Sequence, residues 1–119
     1  MSINEAHALA KKMIYYSLIK KAKDICLLNM SRLSSMADFF IICHGESDVQ
    51  VKAIVDSIME GMESEGVKAW HREGYSFLNW VLLDYVDVVV HVFQKEARKF
   101  YRLERLWGDA EIEKFGYEE

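Results

Sequence analysis

Asp84 and His91 are the two side chains of this sequence best suited to acid–base chemistry. They stand in two apolar runs, 80–85 and 88–93, so little separated that an antiparallel hairpin is the simplest fold for them. Symmetric pairing puts His91 diagonally across from Asp84 on one face, where a carboxylate can orient an imidazole as a general base. No Ser or Cys can be placed beside that imidazole, and hydrogen-bonded structural histidines are commoner than catalytic ones. We therefore expect His91 to be structural or to shape a binding face.

The other potential metal ligands and nucleophiles are spaced unfavourably. The histidines show no i, i+3 or i, i+4 pairing of the kind that binds zinc; they are His7, His44, His71 and His91. Cys26 and Cys43 stand inside apolar runs without CxxC spacing, which predicts two buried, reduced thiols. The sequence therefore predicts neither a metal nor a cofactor.

One enzymatic alternative rests on Gly45-Glu46-Ser47 and on the acids Asp84 and Asp87. A minimal nucleotidyltransferase needs a Gly-Ser turn after its first core strand and two carboxylates at i, i+2 that share a metal. Asp84 and Asp87 are three residues apart, which sends them to opposite faces of a regular strand. This spacing argues against the catalytic form of that fold. A small metal-dependent nucleotidyltransferase is kept as the alternative to a binding protein.

The elements that position these residues predict one α/β (α+β) domain. Five apolar runs predict strands at 24–30, 38–44, 67–72, 80–85 and 88–93, and three stretches predict helices at 4–21, 47–66 and 95–107. Asn4 is the expected cap of the first helix, and Ser47 with Gln50 predicts a capping box for the second. One hairpin face is almost wholly apolar and must meet the core: Val81, Leu83, Tyr85, Val88, Val90 and Val92. The opposite face carries Trp80, Leu82, Asp84, His91 and Phe93.

The last predicted helix, 95–107, has an apolar and a basic side. Its inward stripe is expected to be Ala97, Phe100, Leu103 and Trp107. The solvent-facing side then carries three arginines at i, i+4 and i+7, namely Arg98, Arg102 and Arg105. Such a stripe is usually a solvated helix face, although it could touch RNA phosphate if the protein docked beside RNA.

Length and charge limit the function classes. The 119 residues, of which 51% are hydrophobic and 29% charged, suit a single soluble domain, 1–119. A formal net charge of −4 argues against indiscriminate nucleic-acid binding. The Lys-rich residues 1–23 and the acidic tail from about 109 are expected to be solvated, with an electrostatic docking role as the alternative. Because neither a signal peptide nor a long apolar run is present, a cytoplasmic protein is expected, with no membrane contact.

Five motifs follow one another in a characteristic order and spacing. They are DFFIICHGESDVQVKAI at 38–54, EG at 73–74, WVLLDY at 80–85, DVVVHVF at 87–93 and FYRLERLWGDA at 100–110. Together they resemble the ribosomal silencing factor family, also called Iojap-like, over roughly residues 24–110.

The resemblance implies a cytoplasmic homodimer with a mixed five-stranded sheet flanked by helices, in nucleotidyltransferase-like topology but without that activity. Similar proteins bind the large ribosomal subunit through its protein number fourteen, and so block joining of the small subunit and repress translation. This is steric exclusion and requires no cofactor. A negative net charge fits a factor whose main contact is a basic ribosomal protein. Arg98, Arg102 and Arg105 could add a minor contact to ribosomal RNA.

Several positions depart from the family pattern. Val86 stands where members commonly have Gly, and a branched residue resists the positive φ of a tight hairpin. The turn is therefore expected to be longer or of another type. Leu78 stands where a small residue is usual, and Glu46 and Val49 replace the more usual Thr and Arg.

We expect the partner to contact the segment 73–84, on the hairpin face that the core does not need. Trp80 and Leu82 are expected as apolar anchors, since an exposed aromatic ring is a typical hot spot. Glu73, beside Gly74, and Asp84 are expected to face the ribosomal protein. His91 is expected to support them.

Overall fold

The computed structural model describes residues 2–116 of the chain. Its helices are α1 (Ile3–Ile19), α2 (Asp48–Ser64), α3 (Lys95–Tyr101) and α4 (Leu103–Leu106). Its strands are β1 (Lys23–Asn29), β2 (Phe39–Gly45), β3 (His71–Glu73), β4 (Trp80–Asp84), β5 (Val88–Gln94) and β6 (Glu111–Phe115). None of the helices in this part of the chain is both long and apolar enough to span a bilayer.

All six strands belong to one mixed sheet, in the order β3-β4-β5-β2-β1-β6. The central strands β2 and β5 run parallel, and the other neighbouring pairs are antiparallel. A parallel pair needs a long crossover connection, and the segment containing α2 supplies it. The prediction of a single α+β domain is confirmed, but the sheet has six strands where five were expected.

The main core lies between one face of the sheet and the helices α1 and α2. The six hairpin residues predicted to face it are all buried, and none is more than 6% exposed. The buried residues of α1 are Ala6, Ala10, Met13, Ile14 and Ser17. The prediction of the hairpin's core face is therefore confirmed.

The helix starts differ from the predicted caps in detail. The cap of α1 is Ser2, not Asn4, because Ser2 and Glu5 form a reciprocal capping box. At α2 the Ser47 hydroxyl accepts the Gln50 N–H as predicted, at 3.1 Å. The Gln50 amide oxygen, however, accepts the N–H of Glu46, at 2.7 Å, while its NH₂ donates to the carbonyls of Lys20 and Lys21. Gln50 thus fastens the start of α2 to the end of α1.

The hairpin turn is two residues long and strained. Val86 adopts φ +73°, and the Asp87 N–H donates to the Tyr85 carbonyl at 2.9 Å, which closes a three-residue turn. The Asp84 carboxylate accepts the Val86 N–H at 2.8 Å and so fixes the turn from the side. Of the two expected outcomes, a longer turn or one of another type, the structure has the second, and these hydrogen bonds hold Val86 in the left-handed region.

The acidic stretch after residue 109 forms a strand, and the side chains of residues 111–114 are exposed, as expected for a solvated segment. Residues 111–115 pair antiparallel with β1, and the Glu113 carboxylate lies 2.9 Å from His7 Nε2 of α1. Without β6, the buried strand β1 would present unpaired N–H and C=O groups at the sheet edge, and a charged outer strand is a common way to cover such an edge. The last three residues of the predicted tail lie outside the described residues.

The helix predicted at 95–107 is broken in two. Arg102 adopts φ 48° and ψ 50°, which ends α3 and redirects the chain into α4. Phe100, which precedes the break and was predicted to point inward, is 80% exposed because the buried side of α3 carries Arg98 instead. Leu103, after the break, is buried in a second, smaller core with Phe93 and Ile42. The strand predicted at 67–72 is also reduced, to the three residues of β3 at the sheet edge.

Candidate partner-binding face

The sheet face opposite α1 and α2 is only half covered. Its side chains form three rows across the strands: Phe40, Val89, Asp84 and His71; then Ile42, His91, Leu82 and Glu73; then His44, Phe93 and Trp80. α3, α4 and Trp107, which caps α4, cover the third row, part of the second and one side of Phe40, whose ring centroid lies 6.1 Å from that of Trp107. We call the remaining half-buried or exposed part the open face; it consists of Phe40, Val89, Asp84, His71, Leu82 and Glu73.

The register of the hairpin is the symmetric one predicted. Trp80 lies opposite Phe93, Leu82 opposite His91, and Asp84 opposite Val89. His91 nevertheless makes no contact with Asp84, whose carboxylate is used by the turn. The Asp–His arrangement that a general base would need is therefore absent.

His91 is instead a buried partner of Trp80. The indole N–H of Trp80 donates to His91 Nδ1 at 3.1 Å, so the ring proton of the neutral imidazole lies on Nε2. The side chain is 4% exposed and also contacts Phe40, with ring centroids 4.8 Å apart. Burial lowers the pKa of His91 to about 4. The imidazole is thus uncharged near neutral pH and holds the indole in place.

Trp80 itself is half-buried rather than a free anchor. Its rings lie 4.9 Å from Phe93 and 4.9 Å from Tyr101, measured between centroids. Tyr101 was missed by the sequence prediction because the inward stripe was drawn through Phe100, although Tyr101 follows Ala97 by four residues and lies on the same side of α3. Trp80 therefore forms the boundary between the second core and the open face.

The remaining predicted site residues divide into surface groups and a structural glycine. Glu73 is exposed and its carboxylate lies 2.7 Å from His71 Nε2, while Leu82 is half-buried between Glu73 and His91. Gly74 has φ +82°, and a Cβ there would lie 2.0 Å from the Trp80 carbonyl oxygen. Gly74 is needed for the close approach of the loop to β4, and Glu73, Leu82 and Asp84 are the predicted residues that a partner could reach.

The residues that suggested a nucleotidyltransferase do not converge. Gly45 pairs with Gln94, whereas Asp84 pairs with Val89, so the turn and the acid are about 16 Å apart along the sheet. Within residues 2–116 no group of three or more His, Cys, Asp or Glu side chains is arranged to hold a metal ion. Donors at the start of α2 are already taken by Ser47 and Gln50.

Arg98 is buried, although it was predicted to lie on a solvent-exposed helix face. It is 8% exposed, and its guanidinium contacts Glu104 at 2.8 Å and His44 Nδ1 at 2.9 Å. Burial and the neighbouring Arg98 charge lower the pKa of His44. Arg102 and Arg105 remain exposed, and they line a cleft on the other side of α3 and α4 from Trp80.

These features define a small α+β protein with a half-covered sheet face suited to protein binding. Residues 3–118 match the family model described as ribosomal silencing factor during starvation. Two proteins named ribosomal silencing factor are close relatives: one from Halalkalibacterium halodurans is 50% identical over 76% of this chain and 78% of its own length, and one from Bacillus subtilis is 48% identical over 78% and 79%.

A solved structure shares the fold as well. The crystal structure of a Chromobacterium violaceum protein has a TM-score of 0.84 and 38% identity, covering 91% of this chain and 88% of that one. The chain belongs to the ribosomal silencing factor family. Its relatives are thus named for a regulatory role rather than a catalytic one.

Proposed function

We propose that this protein represses translation by binding the large ribosomal subunit, through its protein number fourteen, and blocking the small subunit from joining. Family membership supports the general role. The mechanism requires only that a folded domain occupy the joining surface, so no cofactor and no chemical step is involved. The protein would act where ribosomes assemble, in the cytoplasm.

The observation that carries this proposal is the open face. It combines a half-buried apolar floor, Phe40, Val89 and Leu82, with the acids Glu73 and Asp84 on the β3–β4 side. Apolar surface in the middle and charge at the rim is the usual composition of a protein-binding patch. Acids on a chain of net charge −4 suit a basic ribosomal protein, since opposite potentials speed encounter and set orientation.

The geometry assigns different roles to the predicted residues. Glu73 and Leu82 would touch the partner, and Asp84 would both touch it and hold the Val86 turn. Trp80, His91 and Gly74 would support that surface from behind or beside it. Replacing Trp80 would therefore lower both binding and stability, so it is a poor test of the interface.

Charge reversal at Glu73 tests the proposal more cleanly. Glu73→Arg should weaken co-sedimentation with purified large subunits by roughly tenfold, because an attractive rim charge becomes repulsive. Glu60→Arg is the matched control: it makes the same change at an exposed position on α2, which packs against the opposite face of the sheet. Both variants should keep the thermal unfolding midpoint of the parent.

Two results would contradict the proposal. One is co-sedimentation of Glu73→Arg equal to that of the parent, and the other is an equal loss for Glu60→Arg. An inhibition assay of subunit joining then links binding to function: Glu73→Arg should need a higher concentration to give the same inhibition.

A further inference from the structure

A second candidate site lies at the end of the sheet that carries the C-terminus of β2. It is a cleft of about 880 Å³ between α3–α4 on one side and β1, β2 and β6 on the other. The helical wall contributes Lys95, Arg98, Lys99, Arg102, Glu104 and Arg105, and the sheet wall contributes Asp24, Ile25, Cys26, His44, Lys114 and Phe115. This volume falls in the range of small-molecule sites.

The charge of the cleft is opposite to that of the chain. Six Lys and Arg side chains and only two carboxylates line it, on a protein whose formal net charge is −4. His44 adds no positive charge, because its Nδ1 accepts a hydrogen bond from Arg98 and burial lowers its pKa. Such a concentration of one sign in a concave site raises the local concentration of anions.

Four of these six cations have no carboxylate partner among residues 2–116. Arg98 forms an ion pair with Glu104, and the Lys95 ammonium lies 4.0 Å from the Glu46 carboxylate. By contrast, Lys99, Arg105 and Lys114 take part in no ion pair within the part of the chain that the structure describes. Arg102 bonds the Lys99 carbonyl through Nε alone, at 3.1 Å, which leaves the rest of its guanidinium available. Four free cations from two walls therefore face one volume.

The buried Arg98 network keeps the two walls in place. Its guanidinium joins α3 to Glu104 of α4, to His44 of β2 and to the sulfur of Cys26 in β1, the last at 3.5 Å. The cations around it are thereby carried on elements that are fixed relative to one another. A preorganised cluster loses less entropy on binding than one on mobile loops.

We propose that this cleft binds a small ligand bearing two or more linked phosphates, either inorganic or as a nucleoside polyphosphate. Arg and Lys are the usual phosphate ligands, Arg as a planar fork and Lys as a point charge. Several linked phosphates carry more charge and more acceptor oxygens than a single phosphate, and so can contact more of these cations at once. The site is separate from the open face, so the inference does not rest on the proposed translational role.

Isothermal titration calorimetry at physiological salt tests the site, with inorganic triphosphate, ATP and adenosine as probes. Triphosphate and ATP should bind with one-to-one stoichiometry, and adenosine should give no heat. Equal affinity for the two phosphorylated probes would identify the phosphates alone as the ligand, and tighter binding of ATP would show that the nucleoside contributes.

Variants on the two walls locate the binding. Lys99→Gln with Lys114→Gln should weaken triphosphate binding about tenfold or more, because it removes one free cation from each wall. Arg32→Gln with Lys68→Gln is the matched control: it removes the same charge at two exposed positions outside the cleft. Circular dichroism should show the same unfolding midpoint for both double variants.

Three outcomes would overturn the proposal. The first is no heat with either phosphorylated probe, and the second is an equal loss of affinity in the control variant. The third is an affinity that is weak for triphosphate and rises steadily with the length of a single-stranded RNA, which would make the cleft part of an RNA-binding surface.

Discussion

His91 illustrates how a residue with catalytic chemistry can serve packing. Its Nδ1 accepts the Trp80 indole N–H, and its Nε2 is buried with no hydrogen-bond partner among residues 2–116. A proton added to the ring would have to displace the indole N–H and would place a charge in an apolar environment, which is why the pKa falls to about 4.

The buried imidazole should make stability depend on pH. The unfolded chain takes up a proton on His91 as pH falls below its ordinary pKa of 6.5, while the native state stays neutral down to about 4. The unfolded state therefore binds more protons in this window, and the free energy of unfolding decreases as pH falls through it. Between pH 7 and 5 this group should account for about 2 kcal/mol.

Urea unfolding of the parent and of His91→Phe at both pH values measures that contribution. The variant loses the Trp80 hydrogen bond at every pH, so the informative quantity is the change between the two pH values. It should be about 2 kcal/mol smaller in His91→Phe. An equal pH dependence in the two proteins would show that His91 is not held neutral.

At the scale of elements, the break between α3 and α4 organises one whole side of the sheet. Arg98 lies on the buried side of α3, and the turn at Arg102 brings Glu104 of α4 back to meet it. The sequence shows no Gly or Pro at the break, so the usual signals of a helix end are missing there. The pair Arg98–Glu104, six residues apart, would not be in contact on a regular helix.

The Arg98 network should matter more for stability than any exposed arginine of these helices. Arg98→Ala should lower the free energy of unfolding by about 3 kcal/mol, since it leaves the half-buried Glu104 carboxylate and the His44 ring without their partner. Arg105→Ala, at an exposed position, should change it by less than about 0.5 kcal/mol. Chemical denaturation of both variants measures the two free energies of unfolding. Equally small losses in the two variants would contradict a stabilising role for the buried Arg98 network.

At the scale of the whole molecule, apolar surface remains uncovered outside the open face. Phe100 on α3 is 80% exposed and Leu106 on α4 is 71% exposed. We propose that the chain forms a homodimer, as its family resemblance leads one to expect, and that these residues form part of the contact, because large exposed apolar side chains often mark protein–protein contacts.

Sedimentation velocity tests the dimer and its contact. Phe100→Ser with Leu106→Ser should weaken self-association by about a hundredfold, from about 3 kcal/mol of lost apolar burial. Phe77→Ser with Met36→Ser is the control, since both residues are similarly exposed but lie in loops elsewhere. A parent protein that is monomeric at micromolar concentration, or a control that dissociates equally, would contradict this assignment.

The sequence predicted the centre of the molecule better than its borders. Strands β2, β4 and β5 are dense in branched and aromatic residues, so their alternation determined the hairpin register and the core face. β6 was missed because an edge strand carries charges on a weak apolar alternation, which resembles a solvated tail. Val86 and Arg102 adopt positive φ although neither is Gly. Their residue types therefore gave no sign of that backbone conformation. Which predicted site residues are reachable depends on α3–α4 packing, which periodicity does not encode.

The position of β6 has a consequence for biosynthesis. Its five residues are the last of the sheet to be translated, yet they cover the outer edge of β1, whose strand is complete by residue 29. Throughout most of its own synthesis the nascent chain therefore holds an apolar strand with one flank free to pair with another polypeptide. The free edge of β1 is closed only after residues 111–115 have been synthesised and have left the ribosome, so β6 completes the sheet last.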